Sequence, residues 1–269
     1  MNDVACFRRW QRFVDSASGK ALIVPMDHGL TMGPLEGICH LDRIASWLDA
    51  DVATGVVVHK GLVQRLGTIP GMGLMIQLNG ALSIDEQPDV KSMLTSVKAA
   101  IRLGADAVSV QANFSSHTAR HSLRLVGKVV DHAHAFGLPV LCMVYDKSEK
   151  PSGEISSLRH FMRAAVELGV DALKIAPPDE LDKLPYILEG FNENTPVLIA
   201  GGVKGDAGQL LRLARAVVEH NAGGLCMGRN VFQRNNPRAF LASVLDVLRG
   251  DMKDHEGELE HRIAAGIPC

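Results

Sequence analysis

GLPVLCMVYDKSEKPSGEISSLRHFMRAAVELGVDALKIAPP, residues 137–178, holds one strand–helix–strand unit. The apolar run Pro139–Tyr145 reads as a strand, Ser156–Leu168 as a helix and Asp171–Ala176 as the following strand. Gly169 stands just past the helix, where a C-terminal stop is expected. The unit recurs in both directions. Upstream lie the strand-like runs Ala21–Asp27, Gly55–Lys60, Leu74–Asn79 and Ala107–Asn113; downstream lie Pro196–Gly201 and Gly224–Gly228. Helical patterns cover Val90–Leu103, His117–Phe136, Asp206–Asn221 and Pro237–Arg249, while Gly61–Met72 is glycine-rich and only weakly helical. Strands alternating with helices, without a linker or low-complexity break, point to an α/β fold with a closed parallel sheet. The 269 residues match the length of about 250 typical of a single (β/α)8 TIM barrel. One domain over residues 1–269 is expected, with a helical lead-in at 1–20 and a polar tail at 251–269.

Composition narrows the partners. With 28 Lys and Arg against 30 Asp and Glu, no basic excess favours nucleic acid or an anionic membrane, so a small molecule is expected. Charged residues interrupt the first 20 residues, and no apolar run reaches the roughly 18 residues of a membrane span. The five cysteines are scattered and odd in number, which points to a reducing, cytoplasmic compartment.

In such a barrel, chemistry belongs at the C-terminal strand ends. In Asp171–Pro178, alternation puts Lys174 on one face with Ala172 and Ala176, and the bulky Leu173 and Ile175 on the other. The small face suits the lumen. A desolvated amine there, with a second cation such as Lys60 nearby, is expected to have a lowered pKa and to be nucleophilic. The bland alternative pairs Lys174 with a lumen carboxylate such as Asp27.

Asp27 ends the first strand, placed for substrate hydroxyls or proton transfer, or else for capping or ion pairing. His28 follows it as a ligand, a substrate contact or a plain loop residue. Tyr145 alternates with Leu141 and Met143 on the fifth strand, as a lumen phenol or a rim aromatic. The last two strands run into Gly201-Gly202 and Gly228-Arg229, suited to phosphate through backbone N–H groups and a guanidinium, or simply tight turns. His59-Lys60 ends the second strand, with Lys60 the rival amine. Gln77, Asn79, Gln111 and Asn113 either bind hydroxyls or satisfy one another. His117, His121, His132 and His134 read as a solvated helix face.

Taken together, VPMDHG (24–29), VVVHKG (56–61), LGADAVSV (103–110), MVYDK (143–147), DALKI (171–175), AGG (200–202) and GRNVFQ (228–233) resemble a known family. It is that of the archaeal-type class I fructose-bisphosphate aldolases and 2-amino-3,7-dideoxy-D-threo-hept-6-ulosonate synthases. The resemblance implies a Schiff-base lysine at Lys174, a proton-transfer acid/base at Tyr145 and a catalytic companion at Asp27. It implies phosphate binding at Gly201, Gly202, Gly228 and Arg229, a phosphorylated sugar or dihydroxyacetone phosphate as substrate, no metal or other cofactor, and a homo-oligomer. His28 and Lys60 join the expected substrate contacts.

The chain departs from the family pattern in three loops. It has Gln111-Ala-Asn113 for His-Val-Asn, Asp146-Lys-Ser148 for Pro-Arg-Gly, and Ala176-Pro-Pro-Asp179 after the lysine. These loops would meet the variable part of the substrate, so an amino-acid semialdehyde remains an alternative acceptor. Two rival classes stand beside this expectation. One is a metal-dependent aldolase with Asp27, His28 and His59 as ligands; the other is a sugar-phosphate-binding barrel without turnover.

Overall fold

The computed structural model describes residues 3–66, 69–148 and 155–251. Its core is a closed parallel barrel of eight strands. These are β1 (Ala21–Pro25), β2 (Gly55–Val58), β3 (Gly73–Gln77), β4 (Ala107–Phe114), β5 (Val140–Asp146), β6 (Ala172–Ile175), β7 (Val197–Ala200) and β8 (Gly224–Cys226). Neighbours in sequence are neighbours in the wall, and Ala21 opposite Gly224 closes the ring. The expected TIM barrel is therefore present. Strand alternation sorts the side chains as the sequence requires. Leu22, Val24, Leu173 and Ile175 pack outward on the helices, while Ile23, Val57, Met75, Leu141, Ala172 and Leu198 fill the interior.

The lead-in forms α1 (Val4–Trp10) and a 3₁₀ turn, Gln11–Phe13, and it stoppers the base of the barrel. Phe13 is fully buried in the interior cluster with Trp10. Its ring lies so close to the first residues of β2 and β3 that a Cβ on Gly55 or Gly73 would stand 2.5 or 2.6 Å from it. Glycine at both positions makes room for the ring. Asp15 fastens this segment to the far end of the chain by accepting hydrogen bonds from Arg249 at 2.7 and 3.2 Å.

The outer helices include α2 (His28–Met32), α3 (Lys60–Leu66), α4 (Val97–Arg102), α5 (Ala119–His134), α6 (Ile155–Glu167), α7 (Leu184–Leu188), α8 (Ala207–Glu219), α9 (Arg229–Phe232) and α10 (Pro237–Arg249). Asp206 caps α8 through the Gln209 N–H, and Asn236 caps α10 through that of Ala239. Three expectations need correction. The helix expected over Val90–Leu103 begins only at Val97, because Ser92–Met93 instead pairs antiparallel with Asn79–Gly80. The weakly helical Gly61–Met72 opens with a true helix. His134, on the helix face expected to be solvated, is only partly exposed and places its Nε2 2.8 Å from the Asp171 carboxylate. The tail expected at 251–269 lies, beyond Asp251, outside the described residues. No helix among the described residues is long and apolar enough to cross a membrane.

Candidate active site

Lys174 stands on β6 between Met143 of β5 and Leu198 of β7, above Ala172, and is only 7% exposed. Its side chain is inside the lumen, as alternation predicts. Around it are Tyr145 from β5, Asp27 after β1 and Cys226 from β8, the last within hydrogen-bonding reach of the amine.

The expected fall in the Lys174 pKa is not found. Burial by itself pushes the amine down, but Cys226, Tyr145 and Asp27 act in the other direction, and the net shift is upward. Burial also pushes the Cys226 thiol up, against the lysine's pull, which keeps it protonated. The second cation expected there is not Lys60. Lys60 is exposed, and its ammonium donates to the Leu94 carbonyl at 2.7 Å instead of entering the lumen.

Asp27 occupies the cap position of α2 without making a side-chain cap hydrogen bond, so its carboxylate is not spent on the helix. It lies 3.6 Å from Nδ1 of His28, an atom that is buried and has no hydrogen-bond partner. Burial lowers the His28 pKa, opposed by Asp27 and reinforced by Lys174 and Arg229. His59 is likewise pushed down, by burial first, against the pull of Asp27. Both rings are therefore neutral near pH 7. Asp27, His28 and His59 do not gather three ligand atoms at one point. Among the described residues the group that does so is Cys6, His134 and Asp171, at the base of the barrel. Those three are already engaged: Asp171 accepts from His134 and from the Val140 N–H at 2.9 Å, which braces the starts of β5 and β6.

The two glycine loops come together. A Cβ on Gly201 would meet Met227 and Asn230 at 3.1–3.2 Å, and one on Gly228 would stand 2.4 Å from the His28 ring. Gly202 has φ of +72°, a left-handed conformation that glycine adopts without penalty. Arg229 is half-buried and opens α9 directly after Gly228. Asn230, 1% exposed, holds the assembly. Its Nδ2 donates to the carbonyls of Gly201 at 2.7 Å and Val203 at 2.9 Å, while its Oδ1 accepts from the Gly205 N–H at 2.8 Å.

The polar residues of β3 and β4 turn out to satisfy one another. Gln77 donates to Asn79 Oδ1 at 2.8 Å, Asn79 donates to the Gln111 carbonyl, and Gln111 donates to Asn113 Oδ1 at 3.0 Å. Asn113 then holds Asp89, which lies 3.6 Å from Lys147. Three residues of the site are not found by sequence reasoning. Cys226 is visible there only as a small buried thiol, and Asn230 only as part of GRNVFQ. Lys91, 6% exposed at the barrel mouth with its pKa lowered by burial, lies in a stretch that looks helical.

Similar proteins share this arrangement's frame. The model of the DeoC/LacD family aldolases matches residues 21–234. The chain is 33% identical, over 93% of both proteins, to 2-amino-3,7-dideoxy-D-threo-hept-6-ulosonate synthase 1 of Archaeoglobus fulgidus. It is 29% identical, over 89% of both, to the 2-amino-4,5-dihydroxy-6-oxo-7-(phosphonooxy)heptanoate synthase of Streptomyces griseus. Among solved structures it is similar to an archaeal fructose-1,6-bisphosphate aldolase whose catalytic lysine carries the carbinolamine intermediate of its substrate. That likeness has a TM-score of 0.81 and 25% identity, and covers 91% of this chain and all of the other. The chain belongs to the DeoC/LacD family of aldolases, and it is a class I aldolase-family enzyme.

Proposed function

We propose that the chain makes or breaks a carbon–carbon bond next to the ketone of a phosphorylated substrate, dihydroxyacetone phosphate or a phosphorylated ketose, through an imine on Lys174. The observation that carries this is the enclosure of one lysine in the lumen with a carboxylate and a phenol beside it. The amine rests as an ammonium beside Asp27 and must lose a proton before it attacks. Asp27 is the base in place to take it. The amine then adds to the ketone carbon to give a carbinolamine. Loss of water from it, with Tyr145 donating the proton, gives the iminium. The iminium withdraws electrons from the adjacent carbon, so an enamine forms or collapses as the bond is made or broken. Phosphate held by the N–H groups of Gly201, Gly202 and Gly228 and by Arg229 fixes the ketone against the lysine. Positioning of this kind supplies about 7–11 kcal/mol of a barrier. His28 Nδ1, buried and without a partner, suits a substrate hydroxyl.

A synthase joining the enamine to an amino-acid semialdehyde is a second form of the same chemistry, supported by the names of the two curated relatives. Either form predicts that borohydride with dihydroxyacetone phosphate adds the mass of the substrate less one oxygen to the peptide carrying Lys174, since water leaves on imine formation and reduction adds two hydrogens. An unmodified peptide, or full activity in Lys174→Ala, refutes the mechanism. Tyr145→Phe is expected to slow turnover by about 10²–10⁴-fold while still allowing the adduct to be trapped.

A further inference from the structure

On the outer side of the barrel, between the start of α4 and the length of α5, runs a groove of about 800 Å³. That volume is toward the upper end of the range of small-molecule sites. Its floor is apolar, from the buried side chains of Val97, Leu125 and Val129. Its rim is cationic. Arg120, Arg124 and Lys128 follow one another at four-residue spacing on α5, so they share one face and span about 12 Å. His117, His121 and His132 stand beside them, and no acidic residue lines the groove. Like charges four residues apart weaken a helix. Among the described residues, none of the three cations is paired with a carboxylate that would relieve this.

A second observation comes from the wall. Thr95 is 4% exposed, yet its hydroxyl has no hydrogen-bond partner. A buried hydroxyl left unsatisfied costs stability, and a polar atom of a ligand in the groove would answer it. Leu94 and Thr95 also form part of the wall of another, largely apolar cavity of about 500 Å³ beside Asp27. His121 Nε2 lies 2.7 Å from the carbonyl of Lys91, at the barrel mouth. The groove is thus outside the active site but set against the segment that frames its mouth.

Three fixed cations in a row call for a ligand with two or more negative charges, and guanidinium groups suit phosphate in particular. The apolar floor calls for a flat, weakly polar part beside those charges. A bare phosphate would leave the floor uncovered, and an uncharged ring would leave the cations unanswered. We propose that the groove binds a nucleoside di- or triphosphate, with the phosphates along Arg120, Arg124 and Lys128 and the base over Val97, Leu125 and Val129. This binding does not depend on the imine chemistry at Lys174.

Titration calorimetry on the full chain with ADP, ATP, tripolyphosphate and adenosine tests this, at an ionic strength of about 0.15 M to screen diffuse attraction. ADP and ATP are expected to bind at least about tenfold more tightly than either tripolyphosphate or adenosine. In Arg124→Glu the nucleotide affinity falls by at least about tenfold, while the melting temperature stays within about 2 °C of wild type. Arg229→Ala and Lys174→Ala bind nucleotide as wild type does, which separates the groove from the glycine loops and from the imine chemistry. No binding to wild type, equal binding of tripolyphosphate and ATP, undiminished binding in Arg124→Glu, or loss of binding in Arg229→Ala overturns the proposal. Sedimentation covers the remaining occupant. A wild-type oligomer that takes up no nucleotide and dissociates in Arg124→Glu means that a second copy fills the groove, which overturns it as well.

Discussion

Asn230→Ala separates the scaffold of the glycine loops from the chemistry. The side chain makes three hydrogen bonds, to the Gly201 and Val203 carbonyls and from the Gly205 N–H, at 2.7–2.9 Å. At about 1 kcal/mol net for each, their loss costs about 3 kcal/mol. For a chain of this size each kcal/mol lowers the melting temperature by about 2–4 °C, so a fall of about 6–12 °C is expected. If the loop also presents its N–H groups to phosphate, losing one charge-assisted bond of about 1.5–3 kcal/mol raises the donor KM by about 10–150-fold. Scanning calorimetry and steady-state kinetics measure both. Asn230→Asp sharpens the test. One carboxylate oxygen still accepts from Gly205, but the other faces two carbonyl oxygens, so the variant is expected to be less stable than Asn230→Ala at pH 7. It should recover as the carboxyl protonates. A melting temperature within about 2 °C of wild type together with an unchanged KM in Asn230→Ala would refute the bracing role.

Two further outcomes concern the base of the barrel. Asp15 is held at a pKa of about 2, below its ordinary 3.8, chiefly by its hydrogen bond to Arg249. A depressed carboxyl stabilises the fold above the unfolded pKa and ceases to as pH falls through the folded one, so about 2 kcal/mol disappears between about pH 4 and 2. Acid titration of Asp15→Asn by circular dichroism should show a flatter profile over that window. Phe13→Ala empties the space beneath Gly55 and Gly73 and is expected to cost about 3–5 kcal/mol in urea unfolding.

The barrel is legible because each strand is a short apolar run closed by a turn signal, and parallel strands buried on both faces carry that pattern strongly. The inward aim of Lys174 follows from period two alone. Its pKa does not, because the opposing groups Cys226 and Asp27 arrive from strands far away in sequence, and β8 is too short for alternation to point the thiol. Val90–Ser96 reads as helix for a related reason. Its apolar residues do recur at helical spacing, but the Asn79–Gly80 backbone pairs with Ser92–Met93, and the Leu78 carbonyl accepts from the Leu94 and Thr95 N–H groups. The largely apolar cavity that Leu30, Leu35 and Leu62 form with Asp27 and Thr95 is invisible in sequence, since those leucines look like ordinary helix-packing residues.

The stopper at the base of the barrel also decides which end of the molecule can be handled. Cys6 and Ala5 lie against the starts of β5 and β6, near Gly137 and Asp171, opposite the mouth where substrates enter. A surface linker or fusion partner attached ahead of Asp3 would leave from the closed end and keep the mouth toward solution. An attachment through the exposed Cys39, which lines the largely apolar cavity beside Asp27, would obstruct that cavity.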